Sequence, residues 1–192
     1  MTWALICVDV QHDFLPGGSL GVPAGDEVVS PLETAASGCK LVVATRDFHP
    51  SDHMSFHDQG GTWPPHCVAG THGAELHPAV AALAAQVVDK GTAPDVDAYS
   101  GFDGTDLDRL LRGQGISQLV VGGLATDYCV RATVLDALAR GYEVIVLEDA
   151  VRAVDVVHGD GARALAEMQR AGARVMSSAE FHRIATREGV GL

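Results

Sequence analysis

The sequence has no long uninterrupted apolar run and few basic residues. Its first apolar stretch, WALICV, is too short for a signal peptide and is interrupted at Asp9, and no later run approaches the roughly 20 residues of a spanning helix. Thirteen Lys and Arg stand against 25 Asp and Glu, a formal net charge of −12. Such a surface repels phosphate backbones and anionic lipid, which argues against nucleic-acid and membrane partners. We expect a cytoplasmic protein that binds a small molecule. Whether it forms a homo-oligomer is left open by the sequence.

The chain also lacks paired cysteines and a phosphate-binding glycine loop. Its four cysteines form no C-x-x-C pair, and a domain of 192 residues needs no disulfide framework, so reduced thiols are expected. No G-x-G-x-x-G or G-x-x-x-x-G-K-[ST] motif follows an apolar run, which argues against a dinucleotide-binding function. No internal repeat or linker divides the sequence, so a single domain over residues 1–192 is predicted.

Six short runs rich in Val, Ile and Leu recur along the chain, and helical patterns separate most of them. The runs are ALICV, LVVAT, QVVD, QLVVGG, EVIVL and RVMSS. They are apolar on both faces, which is typical of strands in a covered parallel sheet. Between two of them, apolar residues from Val130 to Leu138 follow a 3.6-residue period that stops before Gly141. This alternation predicts an α/β fold with right-handed crossovers.

Reactive side chains fall at the carboxyl ends of four successive predicted strands. Asp9 ends the first strand, Asp47 follows the second, Lys90 ends the third, and Cys129 follows the fourth. In open α/β sheets this edge is where ligands bind, so we expect the four side chains to converge on one crevice.

Cys129 stands where a strand turns into a helix, a few residues after Gly122 and Gly123. A thiol at the first turn of a helix faces unpaired backbone N–H groups and the positive end of the dipole, which favour the thiolate. Nearby backbone N–H groups are also suited to binding an oxyanion. A small apolar residue packing the helix on the sheet explains the position equally well. Both interpretations stay open, and Cys67 is the rival candidate for a reactive thiol.

The segment from Phe48 to Pro78 is rich in His, Gly and Pro and has no clean period. Connections of this length inside a compact domain are usually functional. Between positions 47 and 72 the chain carries five histidines beside the carboxylate at the end of the second strand, and the candidate ligands are Asp47, His49, His53, His57, His66 and His72. This ligand set suits zinc, iron(II) or manganese rather than calcium, and it leaves coordination positions for water or a substrate nitrogen. The pattern does not choose which histidines bind.

Five motifs together resemble the nicotinamidase/pyrazinamidase branch of the isochorismatase-like cysteine hydrolases. They are LICVDVQHDFLPGGSL, RDFHPSDH, WPPHCVAGT, KG followed by AYSGF, and VVGGLATDYCV, in this order across most of the chain. The resemblance implies a doubly wound, three-layer α/β/α domain with a mostly parallel six-stranded sheet and a metal-binding loop at about 46–78. It also implies an amidohydrolase that converts nicotinamide, and by extension pyrazinamide, to nicotinate and ammonia in NAD salvage.

By position, the resemblance implies a catalytic triad of Asp9, Lys90 and Cys129. Asp9 would take the thiol proton, Lys90 would hold the carboxylate, and Cys129 would form a thioester with the substrate. The backbone N–H of Ala125, which would follow a cis peptide bond, and that of Cys129 would form the oxyanion hole.

The resemblance likewise implies one divalent metal ion (zinc, iron(II) or manganese) that binds the ring nitrogen of the substrate. Its ligands would be Asp47, His49, His53 and His66, with His57 and His72 as bystanders. The residues around the ring would be Phe14, Trp63, Tyr99, Leu124 and Tyr128. Taken alone, aromatic residues such as Phe14 and Trp63 would serve equally well to cover the edge of the core.

Two positions depart from the family pattern. Tyr128 stands where histidine is common, which leaves the relative activity on nicotinamide analogues open, and His12 replaces a frequent asparagine, which we expect to be tolerated. Two other functions stay open. An amidohydrolase of the same superfamily acting on carbamoyl or ureido compounds would generally lack the full metal set. A noncatalytic metal-binding or thiol-sensing protein, with Cys67 as the responsive group, would leave Asp9 and Lys90 without a role.

Overall fold

The computed structural model describes residues 2–189, and side chains within them as far as Thr186. Its centre is a six-stranded sheet in the order β3-β2-β1-β4-β5-β6, in which every neighbouring pair is parallel. The strands are β1 Trp3–Val8, β2 Leu41–Asp47, β3 Gln86–Lys90, β4 Gln118–Leu124, β5 Glu143–Arg152 and β6 Arg174–Met176. The predicted α/β class and all six strands are confirmed.

Within residues 2–189, six α-helices cover the two faces of the sheet. They are α1 Val29–Ala36, α2 Pro78–Leu83, α3 Leu107–Gly113, α4 Arg131–Ala139, α5 Asp160–Ala171 and α6 Ser178–Gly189. One buried cluster joins β1 to α1, α2 and α6, for example through Leu5, Leu32 and Phe181. The other joins the opposite side of β1 to α3, α4 and α5, for example through Ile6 and Met168. Since successive strand residues face opposite sides, this gives the three-layer α/β/α arrangement. None of the described helices combines the length and apolar character needed to cross a bilayer.

The strand order reverses between β1 and β4, which lie side by side at the centre of the sheet. Their close approach depends on Gly123, whose φ is 123° and where a Cβ atom would lie 2.1 Å from the Val8 carbonyl oxygen. In a doubly wound sheet such a switch point opens a crevice at the carboxyl ends of the strands. The residues directly after β1 and β4 therefore face this crevice.

The segment between β2 and α2 is a compact loop that packs on the same edge. It contains two short 3-10 turns, His57–Gln59 and His72–Ala74, and isolated bridges that pair Gln11 with Leu76 and His49 with Val68. The Gln11–Leu76 bridge holds this segment, the histidine-rich loop (residues 48–77), against the residues that follow β1, while the His49–Val68 bridge lies within the loop.

Candidate active site

Asp9, Lys90 and Cys129 meet in one buried cluster at the crevice. The ammonium nitrogen of Lys90 lies 2.9 Å from Asp9 Oδ2 and 3.5 Å from Cys129 Sγ, and it donates a hydrogen bond to the Ala98 carbonyl at 3.1 Å. It also forms an ion pair with Asp47 Oδ1. Lys90 and Asp9 are almost completely buried and Cys129 is 6% exposed. Three of the four strand-end residues picked out from the sequence thus surround the fourth, the Lys90 cation.

The Asp9 carboxylate is held from two sides. Thr45 Oγ1 donates a hydrogen bond to Asp9 Oδ1 at 2.7 Å, while Oδ2 lies beside the Lys90 ammonium. Within the described residues Asp9 Oδ2 accepts no well-aligned hydrogen bond, and an oxygen of Asp9 lies within 4.8 Å of Cys129 Sγ. A carboxylate oxygen is therefore available to the thiol proton.

The pKa shifts separate the roles of the two carboxylates. Burial raises the pKa of Asp9 against the opposing effect of Lys90. Burial alone would also raise the pKa of Asp47, but Lys90 and His49 lower it below its usual range. Asp9 is consequently the stronger base of the pair. Two carboxyl groups with pKa values pushed apart are typical of acid–base catalysis.

Cys129 differs from the expectation of a thiolate favoured by its position before a helix. It lies in a π-helical turn, Thr126–Val130, that runs directly into α4. Burial raises the pKa of the thiol well above its usual value, and the charge of Lys90 only partly opposes this. Because burial disfavours the thiolate more than Lys90 favours it, the thiol depends on a neighbouring base to become a nucleophile.

Thr45 is a residue that the sequence analysis missed, and its hydrogen bond gives a test of Asp9. Thr45→Val removes a bond that favours the charged carboxylate, so the pKa of Asp9 rises further. The low-pH limb of the dependence of kcat/KM on pH reports the ionisation of the base. We expect this limb to move to higher pH by about 0.5–1 unit. The matched control is Thr34→Val on the exposed face of α1. Coincident acid limbs for Thr45→Val and wild type would contradict the assignment of Asp9 as the base.

A second cluster, which shares Asp47 with the first, offers metal ligands. Ligand atoms of Asp47, His49 and His66 all lie within 4.8 Å of one another, and all three residues are buried. The Nδ1 atoms of His49 and His66 lie 2.8 Å from the carbonyl oxygens of Gly91 and Pro64. Each ring therefore donates its Nδ1–H to the backbone and keeps Nε2 for a metal ion. One carboxylate and two oriented imidazoles fit a divalent transition metal.

The structure does not bring His53 into this group of ligand atoms. Its ring stacks on His49 at 4.0 Å between ring centroids. Its Nδ1 contacts Ser55 Oγ at 2.8 Å, and its Nε2 lies 3.1 Å from the Val96 carbonyl. Both nitrogens are thus engaged beside the cluster rather than in it. His57 and His72 lie on the surface, away from it.

Gln11, also missed by the sequence analysis, positions the metal-ligand segment. Its fully buried amide accepts the N–H of Asp47 at 2.8 Å and donates to the carbonyls of Asp47 at 2.8 Å and Ala74 at 3.0 Å. Its position in the motif VDVQHDF, two residues after Asp9, was the available signal. These bonds tie the end of β2 to the histidine-rich loop.

A small, mostly apolar cavity opens beside Cys129. Trp63 Nε1 donates to the Tyr99 hydroxyl at 3.1 Å, and the Trp63 and Tyr128 rings meet edge to face at 5.2 Å. The predicted residues in its lining are Phe14, Asp47, His49, His66, Trp63, Tyr99, Ala125, Tyr128 and Cys129, and those that sequence reasoning missed are Leu20, Val22, Ser55, Asp97, Ala98 and Val154. The lining thus combines flat apolar walls with a few polar groups.

Leu124 is not among the side chains that line this cavity. Its side chain is fully buried in the core and packs against Gly25, where an added Cβ atom would lie 3.3 Å from Leu124 Cδ1. The peptide bond between Leu124 and Ala125 is cis, as the resemblance implies. The Ala125 carbonyl then accepts hydrogen bonds from the N–H groups of Tyr128 and Val130, both at 3.1 Å, which form the turn that carries Cys129.

Comparison with known proteins finds matches over nearly the whole chain. A model of the isochorismatase domain matches residues 3–180. Nicotinamidase from Escherichia coli strain K12 is 42% identical, over 93% of this chain and 96% of its own length.

Two solved structures share both fold and sequence with the chain. The pyrazinamidase of Pyrococcus horikoshii in complex with zinc is 46% identical with a TM-score of 0.83, covering 92% of this chain and 99% of its own. PnC1 from L. infantum in complex with nicotinate is 38% identical with a TM-score of 0.87, covering 93% of each chain.

Proposed function

The chain belongs to the isochorismatase family, and from this membership we propose that Cys129, with Asp9 and Lys90, hydrolyses nicotinamide to nicotinate and ammonia. The observation that carries the proposal is the Lys90 ammonium, which contacts Asp9, Asp47 and Cys129 directly below an aromatic cavity. Nicotinamidase and pyrazinamidase relatives of this identity support a carboxamide substrate on a flat heteroaromatic ring.

The first half of the reaction acylates Cys129. Asp9 accepts the thiol proton while Sγ attacks the carboxamide carbon, and the Lys90 ammonium stabilises the buried negative charge. The N–H groups of Ala125 and Cys129 are the proposed oxyanion donors. When the tetrahedral intermediate collapses, Asp9 gives its proton to the amide nitrogen. The C–N bond breaks, ammonia leaves, and a thioester remains on Cys129.

The second half releases the acid. Asp9, again a carboxylate, removes a proton from a water molecule that attacks the thioester carbon. The C–S bond breaks, the thiolate takes back the proton from Asp9, and the carboxylic acid loses its remaining proton to solvent and leaves as nicotinate. The same carboxylate therefore serves both steps, which suits a base whose pKa burial holds above its usual value.

One divalent metal ion fits next to the catalytic residues, and we propose Asp47, His49 and His66 as its ligands. The His53 ring stacks on His49 beside this group. When bound, the ion supplies a Lewis-acid site for the pyridine ring nitrogen. Zinc, iron(II) and manganese all suit the donor set. Residues 46–78 are then the metal-binding loop of a single domain that extends over 1–192. We place the enzyme in the cytoplasm, where its free thiols stay reduced.

Ammonia release from nicotinamide by the metal-loaded protein tests the proposed function. We expect turnover before chelation and, after removal of the metal, a fall on the order of 100-fold, because the ring loses its anchor. Re-addition of zinc, iron(II) or manganese should restore the rate. His66→Ala should lose both metal and activity, whereas His57→Ala, at an exposed position of the same loop, should keep both.

Two outcomes would count against these assignments. No release from metal-replete protein would overturn the assignment to nicotinamide and direct attention to carbamoyl and ureido compounds. Undiminished turnover after complete chelation would overturn the proposed role of the metal.

A further inference from the structure

A second group of metal-ligating side chains lies on the surface, outside the residues that line the cavity. Its members are His12, His72 and Glu75, whose ligand atoms all lie within 4.8 Å of one another. The two imidazole rings stack with their centroids 4.0 Å apart, and His72 Nδ1 lies 2.9 Å from Glu75 Oε2. The side chains of His72 and Glu75 are 74% and 65% exposed, so solvent reaches the group freely.

Backbone contacts hold the two segments that carry these ligands in a defined register. The His12 N–H donates to the Glu75 carbonyl at 3.0 Å, and the His77 N–H donates to the Val10 carbonyl at 2.8 Å. Gly73 allows a close approach, since a Cβ atom there would lie 2.0 Å from the Asp13 carboxylate. The ligands therefore come from preorganised backbone, although 60 residues separate His12 from His72.

The chemistry of this group suits a cation. Two imidazoles and a carboxylate are a frequent ligand set for zinc and neighbouring metals, and the exposed side leaves room for water ligands. His12 and His72 line a surface depression that His77 also lines, but the Nδ1 of His77 accepts the Ala79 N–H.

We propose that His12, His72 and Glu75 form a second binding site for a divalent transition-metal ion, with zinc as the probe, separate from the cluster at Asp47. Asp13 and Asp26 line the same depression and make an anion an unfavourable occupant. The ion would link the segment that follows β1 to the histidine-rich loop, and because it binds only the folded arrangement it would stabilise the protein.

Zinc stoichiometry measured by equilibrium dialysis tests this site. We expect wild type to bind two ions per chain, and His72→Ala and His12→Asn to bind one at the same free zinc, with affinity for the second ion lowered by at least about tenfold. His158→Ala, at an exposed histidine elsewhere, should still bind two. His72→Ala should retain wild-type nicotinamidase activity, so loss of the second ion is distinguishable from failure of the active site.

A single ion in wild type would overturn the proposal, as would two ions of unchanged affinity in both His72→Ala and His12→Asn. An equal loss of zinc in His158→Ala would show nonspecific surface binding and would overturn it as well. As a second measurement, excess zinc should raise the thermal midpoint of wild type more than that of His72→Ala. Equal shifts in the two proteins would count against the site.

Discussion

Cys129→Ala is expected to release ammonia from nicotinamide on the order of 10⁴-fold more slowly than wild type, or worse, while folding normally and keeping its metal ion. Without Sγ no thioester forms, and neither Asp9 nor Lys90 supplies a replacement nucleophile. The space left by the substitution is small, because only one sulfur atom is removed from a side chain that is 6% exposed. The measurement is single-turnover and steady-state ammonia release together with metal content.

Cys67→Ala is the matched control, since Cys67 is also a buried free thiol. Burial raises its pKa above the usual range, and its Sγ faces the Gly73 carbonyl at 4.0 Å. We expect Cys67→Ala to keep activity within a few-fold of wild type, and acid-quenched wild type to carry an acyl group on Cys129. Normal turnover by Cys129→Ala would exclude Cys129 as the nucleophile. Activity lost only in Cys67→Ala would favour a function centred on that thiol.

Lys90→Met is expected to abolish activity and to lower the free energy of unfolding by about 3–5 kcal/mol at pH 7. The variant keeps a side chain of similar length but removes the cation that lies between two buried carboxylates. Asp9 and Asp47 then face each other without compensation, and a buried charge that loses its partner is strongly destabilising. Urea unfolding at pH 5 and pH 8 measures the effect.

The pH dependence of this loss has a definite sign. In wild type, Lys90 and His49 lower the pKa of Asp47, so its contribution to stability is present above the ordinary carboxyl pKa and is lost only in acid. In Lys90→Met, burial raises the pKa of both carboxyls, so the folded variant binds protons and loses stability as pH rises. The deficit relative to wild type should therefore be larger at pH 8 than at pH 5.

Lys40→Met provides the control, because Lys40 is exposed and, among the residues that the structure describes, donates only to the Gln114 carbonyl. We expect a change of less than about 1 kcal/mol for this variant. A Lys90→Met protein as stable as Lys40→Met at both pH values would show that Lys90 does not balance the two carboxylates.

The fold could be predicted from the sequence because each strand is marked by a short apolar run of its own. Runs such as LICV in β1 and LVVAT in β2 are apolar on both faces, and this is how buried parallel strands differ from amphipathic elements. The spacing of apolar residues such as Val130 and Val134 predicted a helix here, and the structure has α4 at this place. The turn before it gave no such signal: the π-helical conformation of Thr126–Val130 follows from contacts of the Ala125 carbonyl with later N–H groups.

The parts of the candidate site that lie at strand ends or in the family motifs could be predicted from the sequence. Parallel strands bring their carboxyl ends to one edge, so Asp9, Asp47, Lys90 and Cys129 had to lie near one another once the sheet formed. The motifs that carry them also identified the isochorismatase family, and this identification is confirmed. Sequence therefore determined the fold class, the family and the neighbourhood of the chemistry.

Only the tertiary structure decided how these groups share charge. Asp47 faces Lys90 with one oxygen and His49 with the other, an arrangement that depends on strand register rather than on any motif. Burial, which is a property of the whole fold, raises the pKa of the Cys129 thiol despite its place before a helix.

The same reason explains the pairing of His12 with His72, which looked incidental in sequence. Spacing along the chain carries no information about two residues 60 positions apart, whereas the bonds between the segment after β1 and the histidine-rich loop bring their rings to 4.0 Å. Local pattern thus determined which elements form and which residues stand at their ends. Distances, desolvation and the sharing of charge arise from packing between distant segments, and only the folded chain has them.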